Sequence, residues 1–306
     1  MASYASVMPT PWWFSHVATL ATPHTVDGLS LGALWSLSER LRFIRDNVDP
    51  ALLALDLKAA PEASVNWTAF VTREAQVAAA LSLATSLEQR TIREGGRPPA
   101  AFRAHWETLG FLSHHHDGTP ADDYLDALFK TSRLTFDSST QPTAHVNLGS
   151  RASRVSDFLT VTTPASDDVV FDLGSGSGKL ALTVAASSIT SVQGVELLEH
   201  AVDDAIGSAV ALGLQNVAFH RADVRDVDLS AGSIFYLYYP FHGEVASVVA
   251  SALGALAQQK DITVYASGPL REYGEFFMRE VDRGGLVLTQ RRGEFDEVMV
   301  LESHRS

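Results

Sequence analysis

The stretch Val169–Leu182, VVFDLGSGSGKLAL, restricts the fold more than any other part of the 306-residue chain. An apolar, β-branched run closes on Asp172, three glycines follow at alternate positions, and an alanine- and leucine-rich segment resumes at helical spacing. This is strand, tight loop, helix. The same rhythm then repeats: SVQGVEL, EHAVDDAIGSAVALG, NVAFHRAD, SIFYLYYPF, EVASVVASALGALAQQ and ITVYASG alternate β-rich with helical character. Strands separated by helices of this length predict βαβ units and a parallel sheet. The tail holds GGLVLTQ and FDEVMVLES with only RRGE between them, which predicts a terminal hairpin. The expected fold class is α/β: a doubly wound, mostly parallel, seven-stranded sheet whose last strand runs antiparallel.

The chain ahead of this region has a different period. In DGLSLGALWSLSERLRFIRDNVDP, Leu34, Leu37, Leu41, Ile44 and Val48 recur at helical spacing until Asp49-Pro50 ends the run. Glu62 to Ile92 predicts a long alanine-rich helix, stopped by EGGRPP. Thr119-Pro120-Ala121-Asp122 offers a cap followed by proline at the first helical position, opening DDYLDALFKTSRL as another helix. No strand-like alternation and no internal repeat is visible here. The expected organisation is a helical cap or substrate-facing domain over residues 1–150 and the sheet domain over 151–306. The boundary is expected between Ser138 and Pro164, a segment rich in Ser, Thr and Pro.

Charge and composition narrow the function. Lys and Arg total 23 against 36 Asp and Glu, a net charge of -13. Nucleic-acid binding draws most of its affinity from phosphate contacts on a basic face, so this balance argues against it. Arg279, Arg283, Arg291 and Arg292 could form a local basic patch, but a solvated surface accounts for them more simply. A small molecule or a basic protein or peptide is the better-matched partner. No apolar run reaches the length of a membrane span, and the N-terminus lacks the features of a signal peptide. With no cysteine there is no disulfide framework or thiolate metal site, and the expected compartment is the cytoplasm.

Three kinds of ligand use a glycine loop between strand and helix. A P-loop needs GxxxxGK and then Ser or Thr; here Leu180 follows Gly178-Lys179, and Leu173 stands where the first glycine belongs. A dinucleotide fingerprint needs GxGxxG; Gly174 and Gly176 fit, but Lys179 occupies the third position. What remains is an acidic residue and three alternate glycines: Asp172, Gly174, Gly176 and Gly178. This resembles motif I of the class I, seven-strand S-adenosylmethionine-dependent methyltransferases, and the resemblance covers about Asp168 to Ser303. It implies S-adenosylmethionine as cofactor and S-adenosylhomocysteine as product. The cofactor would be held by Asp172, Gly174, Ser175, Gly176 and Gly178, by Glu196 and Leu197 after the second strand, by Asp223 and Val224 after the third, and by Tyr238. Asp172 would take the ammonium, Glu196 the ribose hydroxyls and Asp223 the adenine amino group. Read as isolated residues, Asp172 could instead cap a helix, and Glu196 and Asp223 could be solvated strand ends.

The acceptor segment of this family follows the fourth strand, here Tyr236-Leu237-Tyr238-Tyr239-Pro240-Phe241. It lacks the Asn/Asp-Pro-Pro-Tyr/Phe of enzymes acting on nucleobase or amide nitrogens, and no carboxylate cluster of the metal-dependent catechol type is visible. DLGSGSGKLALTVA, GVELLEHAVDDA, YLYYPFHGEV and VYASGP are similar to a group of bacterial methyltransferases. These in turn resemble the seven-strand histone-lysine methyltransferases, although Asn-Asn-Phe is missing here. Transfer to a small-molecule N, O or C acceptor selected by the helical cap is the first expectation. A protein, lysine-type acceptor is the alternative, and a non-catalytic S-adenosylmethionine-binding protein is a third reading. The candidate catalytic residues are His242, Tyr238 and Tyr239, with His145 a further histidine near the cleft. The adjacent His114, His115 and His116 cannot all face one ion from a regular element, so no metal is expected. Trp12, Trp13 and Phe14 are read as docked on the fold, or as a lid over the acceptor pocket.

Overall fold

The computed structural model describes residues 26, 28–48, 50, 53–54, 61–112, 119–131, 134–135, 147–293 and 297–303. The described residues fall into two compact units, one up to Leu87 and the other from Glu88. In the first, α1 (Leu31–Asn47) begins where the Ser30 side chain accepts a hydrogen bond from the Ala33 amide at 3.2 Å. Its Leu41, Ile44 and the following Val48 pack on Phe70 and Val77 of α2 (Pro61–Arg93). These are the helical-spacing positions the sequence singled out.

The second unit is built on a seven-stranded sheet. Its strands are β1 (Val169–Leu173), β2 (Ser191–Glu196), β3 (Val217–Arg221), β4 (Ile234–Tyr238), β5 (Thr263–Gly268), β6 (Leu286–Arg292) and β7 (Glu297–Ser303). The order across the sheet is β3-β2-β1-β4-β5-β7-β6. β1 to β5 pair in parallel; β7 is antiparallel to both its neighbours, β5 and β6. The chain thus has the fold of the seven-strand methyltransferases, as the resemblance implied. Parallel strands covered on both faces must be apolar throughout, and Val170, Leu173, Phe235 and Leu237 are fully buried.

The linking helices are α6 (Lys179–Ser187), α7 (Glu199–Leu212), α8 (Gly243–Ala257) and α9 (Leu270–Asp282). α7 stops at Gly213, whose φ of +68° suits a left-handed cap. On α8, Ala246, Val249, Ala250, Leu253 and Ala257 form one buried stripe. Ahead of the sheet lie α3 (Pro99–Thr108), α4 (Pro120–Phe129) and α5 (Ala152–Thr162). α4 carries the expected cap as a full reciprocal box between Thr119 and Asp122.

Four features escape periodicity, the first being α3, whose buried Phe102 and Trp106 are too few to mark a face. α5 falls within the Ser/Thr-rich segment 138–164, because its buried Val155, Phe158 and Leu159 are too few to stand out among hydroxyls. α9 buries Tyr273 and Phe277 behind a largely polar sequence. A ladder pairs Leu134–Thr135 with Asn147–Leu148, and two residues are too few to show alternation.

Candidate functional site

In a doubly wound sheet, ligands bind beyond the carboxyl ends of the strands where the winding reverses. Here that point lies between β1 and β4. β1 ends at Asp172-Leu173 and hands over to the glycine loop. Asp172 sits in register with Gly194 of β2 and Tyr236 of β4. It is buried, and desolvation pushes its carboxyl up to about 7; the Ala181 amide pulls the other way, and the nearby Glu196 carboxylate adds to the rise. No cation contributes to its environment among the described residues.

Gly174, Gly176 and Gly178 have φ of +83°, +53° and +84°. At two of them shape matters as much as conformation. A Cβ on Gly174 would lie 2.3 Å from the Pro240 Cβ, so the loop touches the turn after β4 directly. A Cβ on Gly178 would lie 2.8 Å from the Phe219 ring and 2.9 Å from the Ala205 Cβ. The loop is tied to β2 by backbone bonds: the Gly174 and Ser175 amides both donate to the Val195 carbonyl at 2.9 Å. The Ser175 hydroxyl is buried with no hydrogen-bond partner among the described residues.

Glu196, at the end of β2, is held by three amides. Its Oε2 accepts from Gly176 at 2.9 Å, and its Oε1 from Leu197 at 2.8 Å and Leu198 at 2.9 Å. The carboxylate is therefore preorganised beside the loop, with lone-pair capacity to spare. Leu197 is exposed. The end of β3 is joined to Glu196 by the Ala222 amide, which donates to the Glu196 carbonyl at 3.0 Å. Asp223 caps the single 3-10 turn Val224–Asp226. Both its oxygens are engaged by Arg225, Oδ1 with the amide and Nε at 3.0 Å and Oδ2 with Nη2 at 2.7 Å. The Arg225 guanidinium holds the Asp223 carboxyl below its ordinary range. Val224 is buried in the core.

On β4, Tyr238 ends the strand half-buried, and Tyr239 takes a φ of +46°. A bulky residue in that region is an outlier that surrounding structure must enforce. The Tyr239 ring lies 5.7 Å from that of Tyr273, and Gly268 leaves room for it, since a Cβ there would come within 3.0 Å of the Tyr239 Cβ. Phe241 is buried. His242 is half-buried at the N-cap of α8 and makes no side-chain capping bond. The structure thus gathers Asp172, Gly174, Ser175, Gly176, Gly178 and Glu196 at one edge, with Tyr238, Tyr239 and Pro240 across the winding reversal. Asp223 and Val224 stand at the next strand end, turned to Arg225 and to the core.

The wall behind Asp172 is aromatic. Tyr236 stacks on Tyr265 at 5.6 Å, and Phe158 of α5 meets both edge-on at 5.2 and 5.5 Å. Lys179, noted in the sequence only as the residue that breaks a dinucleotide pattern, is buried and bridges Asp122 at 2.9 Å and Asp126 at 2.8 Å. Ser267, in register with Tyr238, is a second buried hydroxyl with no partner among the described residues and had no sequence signal.

Each arginine of the suspected basic patch is paired, Arg279 with Glu275, Arg283 with Glu280, Arg291 with Glu297 and Arg292 with Asp157. Among the described residues no group of three or more His, Asp or Glu is placed to hold a metal, and no helix is long and apolar enough to cross a membrane. His114, His115, His116, His145, Trp12, Trp13 and Phe14 lie outside the described residues. A separate cavity of about 660 Å³ lies between Phe171, Gln193, His220 and Val227, where a 3-10 turn rather than a helix leads from β3 to β4.

No family model matches the chain, and no curated protein matches it. Solved structures do. An RNA methyltransferase from Salinibacter ruber in complex with S-adenosyl-L-homocysteine is 20% identical over 51% of this chain and 94% of its own, with a TM-score of 0.41. A ribosomal protein L11 methylase from Lactobacillus delbrueckii subsp. bulgaricus is 15% identical over 50% of this chain and 78% of its own, with a TM-score of 0.40. A magnesium protoporphyrin IX methyltransferase from Synechocystis PCC 6803 with bound SAM is 18% identical over 50% of this chain and 77% of its own, with a TM-score of 0.39.

Proposed function

We propose that this chain is an S-adenosylmethionine-dependent methyltransferase acting on a small-molecule N, O or C acceptor, chosen by the helical region of residues 1–150. One observation carries the reading. A buried carboxylate, Asp172, raised by burial and by Glu196 with no cation offsetting it among the described residues, stands at the three-glycine loop by the winding reversal of this sheet. A nucleotide phosphate would be repelled there, whereas a ligand bringing its own ammonium fits. The Ser175 hydroxyl, buried and without a hydrogen-bond partner among the described residues, favours a polar ligand laid beside the loop.

When bound, S-adenosylmethionine supplies an electrophilic methyl group on a sulfonium. The residues supply placement. Asp172 pairs with the ammonium, Glu196 accepts from the ribose hydroxyls, and Asp223 accepts from the adenine amino group. Tyr238 and Tyr239 present aromatic faces to the reacting centre, where a cation is stabilised by the ring quadrupole. His242 takes the proton from an N–H or O–H acceptor. In-line transfer draws most of its rate from such orientation.

The net charge of -13 favours a second reading, a basic protein or peptide with lysine as acceptor. The engagement of Asp223 by Arg225, and an acceptor segment with no amide or carboxylate, favour a third, a protein that binds the cofactor without transferring it. The test uses S-adenosylmethionine tritiated in its methyl group, incubated with the protein and an extract of its host. Label in the small-molecule fraction is the expected result. Label on protein replaces it with the lysine-type reading, and cofactor binding without transfer to any acceptor replaces both with the third.

A further inference from the structure

The buried ion cluster at the end of the glycine loop has no counterpart in the roles assigned above. Lys179 is the first residue of α6, immediately after Gly178, and both are buried. Its ammonium turns away from solvent to Asp122 and Asp126 of α4, each nearly inaccessible. Asp122 is engaged on every side. Its Oδ1 accepts from Lys179 Nζ at 2.9 Å and from the Ala152 amide, the first of α5, at 2.7 Å. Its Oδ2 accepts from the Thr119 amide at 3.3 Å and hydroxyl at 2.8 Å. Asp126 Oδ1 also accepts from the Thr131 hydroxyl at 2.8 Å. One carboxylate therefore joins three helices: α4, which owns it, α6, which leaves the glycine loop, and α5, which lays Phe158 on Tyr236 beside Asp172.

Burying one cation with two anions is a poor way to gain stability, because desolvation offsets most of the attraction. What such a cluster provides is geometry: charge-assisted bonds are short and directional, and moving any partner leaves an unpaired charge in the interior. A shift of the glycine loop must therefore carry α4 and α5 with it. We propose that Lys179 is a positioning residue which, through Asp122 and Asp126, locks α4 and α5 to the cofactor loop, so that occupancy of the loop is felt in both helices. The proposal rests on the cofactor reading given above. Lys179 itself acts through the loop backbone and touches no reacting atom.

The test is hydrogen–deuterium exchange on the full chain with and without saturating S-adenosylhomocysteine, with affinity measured by calorimetry. In the unaltered protein, exchange should slow severalfold in α4 and at the start of α5 as well as in the glycine loop and α6. The triple variant Asp122→Asn/Asp126→Asn/Lys179→Met removes every charge of the cluster and so strands none. It should bind S-adenosylhomocysteine about tenfold more weakly, within the usual range of coupling between sites. At saturation its loop and α6 should still be protected while α4 no longer responds. A cluster that only stabilises the fold would lower Tm and leave the α4 response intact in the variant, which overturns the proposal. Protection confined to the loop and α6 in the unaltered protein also overturns it, and that arm needs no substitution. If S-adenosylhomocysteine does not bind at all, the cofactor reading itself fails, an outcome distinct from either.

Discussion

Asp172 is under opposing demands that make it the most informative single residue. Its carboxyl is pushed up to about 7, first by burial and further by Glu196. Between its ordinary value and 7 the folded state binds a proton that the unfolded chain does not, so this group lowers stability as pH rises through that window. The full penalty is present above pH 7 and none remains near pH 4. Asp172→Asn should therefore raise stability at pH 8, by up to about 4 kcal/mol, with the gain vanishing toward pH 4. Paired thermal melts at the two pH values check the sign. The same reasoning applies to ligand affinity. If an ammonium pairs with the ionised form, affinity for S-adenosylhomocysteine weakens as pH falls below 7, and Asp172→Asn removes that dependence along with most of the affinity. Gly174 offers a steric counterpart. Gly174→Ala places a methyl group 2.3 Å from the Pro240 Cβ at a φ of +83°, and should cost roughly 2–4 kcal/mol in denaturant unfolding. At this scale the residues of the loop were legible from spacing alone, while the engagement of Asp223 by Arg225 was not. Two residues apart, that pair reads in sequence as ordinary surface charge.

Among the elements, the turn from β4 into α8 carries the proposed catalytic residues Tyr239 and His242 on an unusual backbone. Tyr239 holds a left-handed conformation between a strand and a proline, with Gly268 cleared to admit its side chain. Tyr239→Gly relaxes the backbone but removes the ring beside Tyr273, so its stability should stay within about 1 kcal/mol of the parent. Methyl transfer, followed with tritiated cofactor, should fall. His242→Gln is the complementary change. It should leave the Kd for S-adenosylhomocysteine unchanged while lowering kcat about a hundredfold, the usual worth of a positioned proton acceptor. Elements with a strong period were readable from the sequence: α1, α7, α8 and the strands of the sheet lie where apolar spacing put them, whereas α4 stops at a left-handed Lys130 and the expected helical Leu134 pairs with Leu148 in a strand. α5 and α9 were not, because their buried stripes are short and aromatic, set among Ser, Thr, Arg and Glu. α5 matters to the site, since it brings Phe158 against Tyr236 and receives the Asp122 carboxylate at its first amide.

For the molecule as a whole, a mostly parallel sheet ending in a hairpin follows from the alternation of strands and helices, whereas the order of its strands does not. Long-range partnerships do not follow either, because nothing local to Lys179 announces Asp122, 57 residues away. Overall acidity likewise leaves the acceptor open between a metabolite and a basic peptide, which only the distribution of transferred label separates. The central claim is narrower: that the glycine loop beside Asp172 holds S-adenosylmethionine. Calorimetric titration of S-adenosylmethionine into the protein at pH 8, beside the Asp172→Asn variant, tests it most directly. The account predicts one saturable site per chain in the parent and at least a tenfold weaker one in the more stable variant, about 1.4 kcal/mol or more of lost affinity. Equal affinity in the two proteins, or no binding in the parent, would contradict it.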